Sequence, residues 1–90
     1  MNFDDTMKAL SASERREILN LLKNGPMSAG DIASHFLMSG ATISYHLALL
    51  KKAGLIKERK DKNYIFYRLN TSILEEVLLW IEGLRGDDNK

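Results

Sequence analysis

Between residues 41 and 52 of this 90-residue chain, one side of the segment carries Ala41, Thr42, Tyr45, Ala48 and Lys52, with Ser44 and His46 at its borders. Short hydroxyls, an aromatic ring and small methyl groups suit the floor of a DNA major groove, where close approach and short donors or acceptors read base edges. Lys51 and Lys52 close the segment, and Arg59, Lys60, Lys62 and Asn63 follow. Cations so placed would neutralise phosphates, which supplies salt-dependent affinity for any duplex. The charge distribution agrees. Residues 40–70 hold seven basic and two acidic side chains, a balance of +5, whereas the remainder of the chain stands at −4 and the whole at +1.

These groups need a scaffold, and residues 28–53, SAGDIASHFLMSGATISYHLALLKKA, supply one. Ala29, Ile32, Ala33 and Phe36 fall at helical spacing, opened by Ser28 with Asp31 three residues on as a capping box. Leu37, Met38, Ser39 and Gly40 leave room only for a tight turn. A second helix then sets Ile43, Leu47 and Leu50 on its inner stripe and the polar groups on its outer one. Two helices joined in this way read as helix-turn-helix. Gly54 ends the second helix, and residues 55–59 switch to an extended pattern. After the loop Lys60-Asp61-Lys62-Asn63, Ile65, Tyr67 and Leu69 alternate with Tyr64, Phe66 and Arg68. A basic hairpin behind a helix-turn-helix is a wing, able to reach a minor groove or track a phosphate backbone.

The flanking segments are helical as well. Phe3, Met7 and Leu10 mark a short amphipathic helix with Asp4 and Asp5 near its positive end. Ser11 and Glu14 suggest a second capping box, leading into a helix that buries Ile18, Leu21 and Leu22 and stops at Asn24-Gly25-Pro26. Arg15 and Arg16 are expected on its exposed side as solvated charges. Ser72 and Glu75 suggest a third box. The helix that follows spreads Ile73, Leu74, Val77, Leu78, Trp80, Ile81 and Leu84 over about half its circumference, and Leu79 widens the stripe further. That is more apolar surface than a terminal helix needs for its own core, and a second subunit is the simplest cover. The expected fold class is mainly α with a β-hairpin wing (α+β): five helices and a two-stranded wing in one domain, residues 1–84, followed by a polar tail, residues 85–90.

Other classes find little support. The chain has no cysteine and so no disulfide or thiolate metal site, and no run of eighteen apolar residues. Its acidic N-terminus does not read as a secretory signal, so a cytoplasmic location without membrane insertion is expected. HExxH, GxSxG, P-loop and GxGxxG patterns are absent, and Glu75 and Glu76 are adjacent and point different ways. His35 reads as a surface or capping residue. His46 has no nucleophile or carboxylate at a spacing that would make it catalytic, and packing or a phosphate contact is expected of it. No catalytic residue, metal ligand or cofactor is expected.

The chain resembles the ArsR-type winged-helix repressors of bacteria, and among them the small autorepressor-like members without metal ligands. The resemblance runs from about residue 7 to residue 70: KALSASERREILNLLK is similar to the family's second-helix signature, SAGDIASHFLMSGATISYHLALLKKAGLI to its helix-turn-helix and KERKDKNYIFYRLN to its wing, with SYHLALLKKAG the most specific piece. It implies a two-fold dimer through the first and last helices, with Phe3, Met7 and Leu10 joining Ile73, Leu74, Val77, Leu78, Trp80, Ile81 and Leu84 in the interface. It also places base contacts on Gly40, Ala41, Ser44 and Tyr45. Many members have proline at Ala41 and a longer polar side chain at Gly40, so their base preference does not transfer. Neither usual metal-sensing site can be assembled, because no cysteine pair precedes the recognition helix and no histidine lies in the last helix.

The expected function is a sequence-specific DNA-binding repressor, with autoregulation one mode open to it, acting as a homodimer on an inverted repeat. Its contacts would come from Ser39, Gly40, Ala41, Thr42, Ser44, Tyr45, His46, Lys51 and Lys52 in the helix and from Arg59, Lys60, Lys62 and Asn63 in the wing. The alternative is a winged-helix module that binds a peptide or regulator. A protein or small-molecule effector fits either reading and is not specified by the sequence.

Overall fold

In a computed structural model that describes residues 2–86, the elements run α1 (Phe3–Leu10), α2 (Ser13–Leu21), a 3-10 turn (Leu22–Asn24), β1 (Met27–Ser28), α3 (Ala29–Ala33), α4 (Gly40–Lys52), β2 (Ile56–Asp61), β3 (Tyr64–Leu69) and α5 (Thr71–Arg85). Five helices and the hairpin appear as the sequence implies. The sheet is one strand wider. β1 pairs antiparallel with β3, Met27 opposite Tyr67 and Ser28 opposite Phe66, giving the order β1-β3-β2. Two residues of backbone pairing leave almost no periodic signature, which is why the sequence shows only two strands.

Local chemistry fixes the ends of the helices. The Asn2 side chain accepts the Asp5 N–H at 3.1 Å at the start of α1, and Ser28 accepts the Asp31 N–H at 3.1 Å at the start of α3. The other two expected capping boxes do not form. Ser11 closes α1 instead, donating its hydroxyl to the Lys8 carbonyl at 2.7 Å, and α2 begins after Ala12 with no side-chain cap. Ser72 lies inside the first turn of α5, which starts after Asn70. In both places the hydroxyl or amide nearest the helix start is already engaged elsewhere or lies past the cap position.

Asn70 is engaged by the end of α4. Its backbone N–H donates to the Leu55 carbonyl and its side-chain amide to the Gly54 carbonyl, each at 2.9 Å. Gly54 itself turns the chain with φ +78°, and a Cβ there would stand 3.2 Å from Ile73. The clamp therefore fixes where the wing and α5 leave the helix-turn-helix. Asn70→Ala should lower stability by about 1 kcal/mol in urea unfolding, since one half-buried carbonyl loses its partner. An unchanged midpoint would count against the clamp.

Ile18, Leu22, Ile32, Leu50, Leu55 and Ile56 are almost wholly buried and join α2, α3, α4 and the sheet. Thr6 and Ala9, rather than Phe3, Met7 and Leu10, are the buried positions of α1. Part of the expected dimer surface is used internally: Leu10, Ile73 and Leu74 pack against this core, Val77 is buried, and Phe3 lies edge-on to Trp80 with ring centroids 5.2 Å apart. Met7 is half-buried. Beyond Val77 the pattern changes. Leu78, Leu79, Trp80, Ile81 and Leu84 are all exposed, on a molecule stretched to 52 × 24 × 22 Å. Arg85 belongs to α5 rather than to a tail, and residues 87–90 of that expected tail lie outside the described residues. No helix among the described residues is long and apolar enough to cross a membrane.

Candidate nucleic-acid interface

Helix α4 has two unlike sides. Ile43, Leu47 and Leu50 anchor it in the core, while Gly40, Ala41, Thr42, Ser44, Tyr45, Ala48, Lys51 and Lys52 are exposed. Ser39 caps it: its Oγ accepts the Thr42 N–H at 3.2 Å and lies 3.0 Å from the Thr42 hydroxyl. The cap holds the two hydroxyls together at the helix's N-terminal end, where the unpaired N–H groups and the dipole favour an anion such as phosphate. A Cβ at Gly40 would meet nothing within 4 Å, so the fold itself does not demand glycine there. The first turn is left flat, with Tyr45 projecting beyond it at 57% exposure.

The wing is a longer ladder than expected. β2 and β3 pair from Ile56 opposite Leu69 to Asp61 opposite Tyr64, so Lys60 is a strand residue and only Lys62 and Asn63 form the turn. Lys62 takes φ +59°, a left-handed conformation that two-residue hairpin turns require. Arg59 lies over the Phe66 ring, 5.3 Å from its centroid, and 3.7 Å from Asp61. Lys51 donates to Glu58 at 2.9 Å and braces the end of α4 against β2. That hydrogen bond, and then the charge of Glu58, holds the Lys51 ammonium above its usual range; burial, with help from Glu58, pushes the Tyr67 phenol up. Both shifts favour the protonated form. Their contributions are therefore present at neutral pH and are lost only as pH rises past the ordinary lysine and tyrosine ranges.

Comparison with known proteins places this geometry. Residues 12–58 match the family described as "Bacterial regulatory protein, arsR family". The chain belongs to the arsR family. It is 45% identical to the "Transcriptional repressor SdpR" of Bacillus subtilis (strain 168) over 88 residues, 96% of this chain and 98% of that one. It is 42% identical to the "Arsenical resistance operon repressor" of Staphylococcus aureus over 72 residues, 80% of this chain and 69% of that one. Among solved structures, a "Possible transcriptional regulator for arsenical resistance" superposes with a TM-score of 0.82 at 31% identity, covering 92% of this chain and 86% of that one. A family of transcriptional regulators is not one of enzymes, so this chain is a regulator.

Within this arsR-family fold, most sequence-predicted groups are exposed, and some are not. His46 is buried, with Nδ1 turned to Arg15 Nη1 at 3.1 Å, so it stands behind the exposed side of α4 rather than on it. Arg15, expected among solvated charges, is buried too. Arg16 remains exposed and donates to the Leu10 carbonyl at 2.7 Å. Lys51 is exposed but shared with Glu58. Two features escaped the sequence reading. Lys57 and Arg68, both exposed, stand directly opposite each other in the hairpin, a like-charge pair that an anion would relieve. Leu37 is fully exposed in the turn between α3 and α4. The register of the hairpin could have revealed the first; nothing local in the sequence marks the second. Among the described residues no three His, Cys, Asp or Glu side chains are grouped to hold a metal ion.

Proposed function

We propose that this protein is a DNA-binding transcriptional repressor that acts as a two-fold homodimer, with residues 1–84 as its DNA-binding domain. The observation that carries the reading is the outer side of α4, where small, hydroxylic and aromatic side chains stand uncovered while the inner side is fixed in the core. A helix built only for solvent has no need of that composition. The cationic hairpin beside it supplies phosphate contacts. Repressors at 45% and 42% identity support the direction of control. The uncovered apolar groups of α5 support the dimer, whose symmetry calls for an inverted repeat with half-sites about one helical turn apart, roughly 10 base pairs.

In this reading Ser44 and Tyr45 read base edges, Thr42 and the capped N-terminus hold backbone, and Lys52, Lys60 and Lys62 neutralise phosphates. Tyr45→Ala should lower affinity for the operator by about 1–3 kcal/mol and flatten the preference over random duplex. Lys62→Ala should weaken both duplexes alike and reduce the salt slope by about one. Fluorescence anisotropy between 50 and 200 mM salt measures all three quantities. An affinity indifferent to salt, or equal effects of both substitutions on both duplexes, would refute the assignment.

A further inference from the structure

Arg15 is only 7% exposed, and no carboxylate oxygen among the described residues lies within 4.0 Å of it. A guanidinium keeps its proton in proteins, so a buried one without an anion needs other acceptors. It has three. Nε donates to the Ala9 carbonyl and Nη2 to the Lys8 carbonyl, each at 2.9 Å. Both carbonyls belong to the last turn of α1, at the negative end of the helix dipole, and that of Lys8 also accepts the Ser11 hydroxyl. The third acceptor is His46 Nδ1, 3.1 Å from Nη1. Because the guanidinium has no lone pair to offer, Nδ1 must accept, which makes the imidazole neutral with its proton on Nε2.

His46 lies on α4 next to Tyr45, whose ring centroid is 5.6 Å from its own. Arg15 from α2 bonds the His46 ring, and the α1 carbonyls of Lys8 and Ala9 hold the other side of the same guanidinium. One cation thus joins α1, α2 and the recognition helix at a point directly behind the base-reading side.

We infer that Arg15 is a positioning residue for DNA recognition: through neutral His46 it sets the rotation of α4 on the body, and with it the approach of Ser44 and Tyr45 to the groove. This rests on the DNA-binding reading above. Removing the Nδ1 acceptor unties α4 from α1 and α2 while every phosphate-neutralising lysine stays in place, so preference for the operator should fall and affinity for unselected duplex should not.

The test uses a fluorescein-labelled duplex selected by the full-length wild type from a random-sequence pool at pH 7.5. His46→Asn keeps an acceptor oxygen near the Nδ1 position, and it should bind the selected duplex within about threefold of wild type. His46→Leu, which removes the acceptor, should lose about tenfold on the selected duplex and less than about twofold on unselected DNA. Circular dichroism establishes that each protein is folded; if His46→Leu is not, Arg15→Lys, which keeps the charge but lacks the fork that reaches all three acceptors, should show the same selective loss. A folded His46→Leu or Arg15→Lys that keeps the wild-type ratio of selected to unselected affinity, or a His46→Asn that loses it as fully as His46→Leu, overturns the inference alone. A wild type that binds no duplex at pH 7.5 overturns the DNA-binding reading, and this inference with it.

Discussion

Ile81→Glu should leave the protein folded but monomeric, and should lower its affinity for an inverted-repeat operator by about 10²–10⁴. Ile81 is 46% exposed in the single chain and belongs to the uncovered half of α5 with Leu78, Trp80 and Leu84, so its own core does not depend on it. In a two-fold dimer the same position recurs on the partner, and a carboxylate there would be taken out of water twice without a counter-charge. Dimer formation matters to DNA binding because two linked recognition helices make the second half-site contact intramolecular. Sedimentation at micromolar concentration reads the first effect. Titration against the full repeat and an isolated half-site reads the second: wild type should separate the two targets by the factor above, and the variant should bind both alike. A variant that still sediments as a dimer would remove α5 from the interface.

The helix-turn-helix was legible because its signals are short-range. Ile43, Leu47 and Leu50 repeat at the helical period, so the inner and outer sides of α4 follow from spacing alone, although Ser39 and Gly40, read as turn, prove to be its cap and its first residue. The hairpin was legible from Tyr64 to Leu69 for the same reason, with Tyr67 inward as alternation requires. What stayed hidden was long-range. Arg15 looks like any surface cation in a helix until α1 is folded back to offer the carbonyls of Lys8 and Ala9, and His46 looks like a border residue until that guanidinium arrives, 31 residues away in sequence. Ser11 and Ser72 mislead similarly: Ser11 turns back to the Lys8 carbonyl, and α5 starts ahead of Ser72, right after Asn70, whose amide is taken by Gly54. The α5 stripe was half legible: its apolar excess is plain in the sequence, but only packing shows that Ile73, Leu74 and Val77 serve this chain's core while Leu78 to Leu84 do not.

Leu50→Ala should have the largest effect on stability, about 2–5 kcal/mol. Leu50 has 0% exposure and sits where α4 meets the core, and its backbone carbonyl accepts the Leu55 N–H at 3.0 Å as the chain leaves the helix. Truncation there removes three carbon atoms' worth of contacts and leaves a cavity between helices that are already braced, so little collapse can refill it. For a domain of this size the loss corresponds to a fall of roughly 10–30 °C in Tm. Five residues earlier on the same helix, Tyr45→Ala should move Tm hardly at all, because its ring is mostly in solvent, while affecting sequence preference as argued above. The pair therefore separates the two duties of one helix. Thermal unfolding with and without operator duplex reads both: Leu50→Ala should melt early yet still gain stability when DNA is added in excess, whereas Tyr45→Ala should melt normally and gain less. A normal melting temperature for Leu50→Ala would mean that α4 is not anchored by its inner stripe, and the rigid presentation of its outer side would have to come from somewhere else.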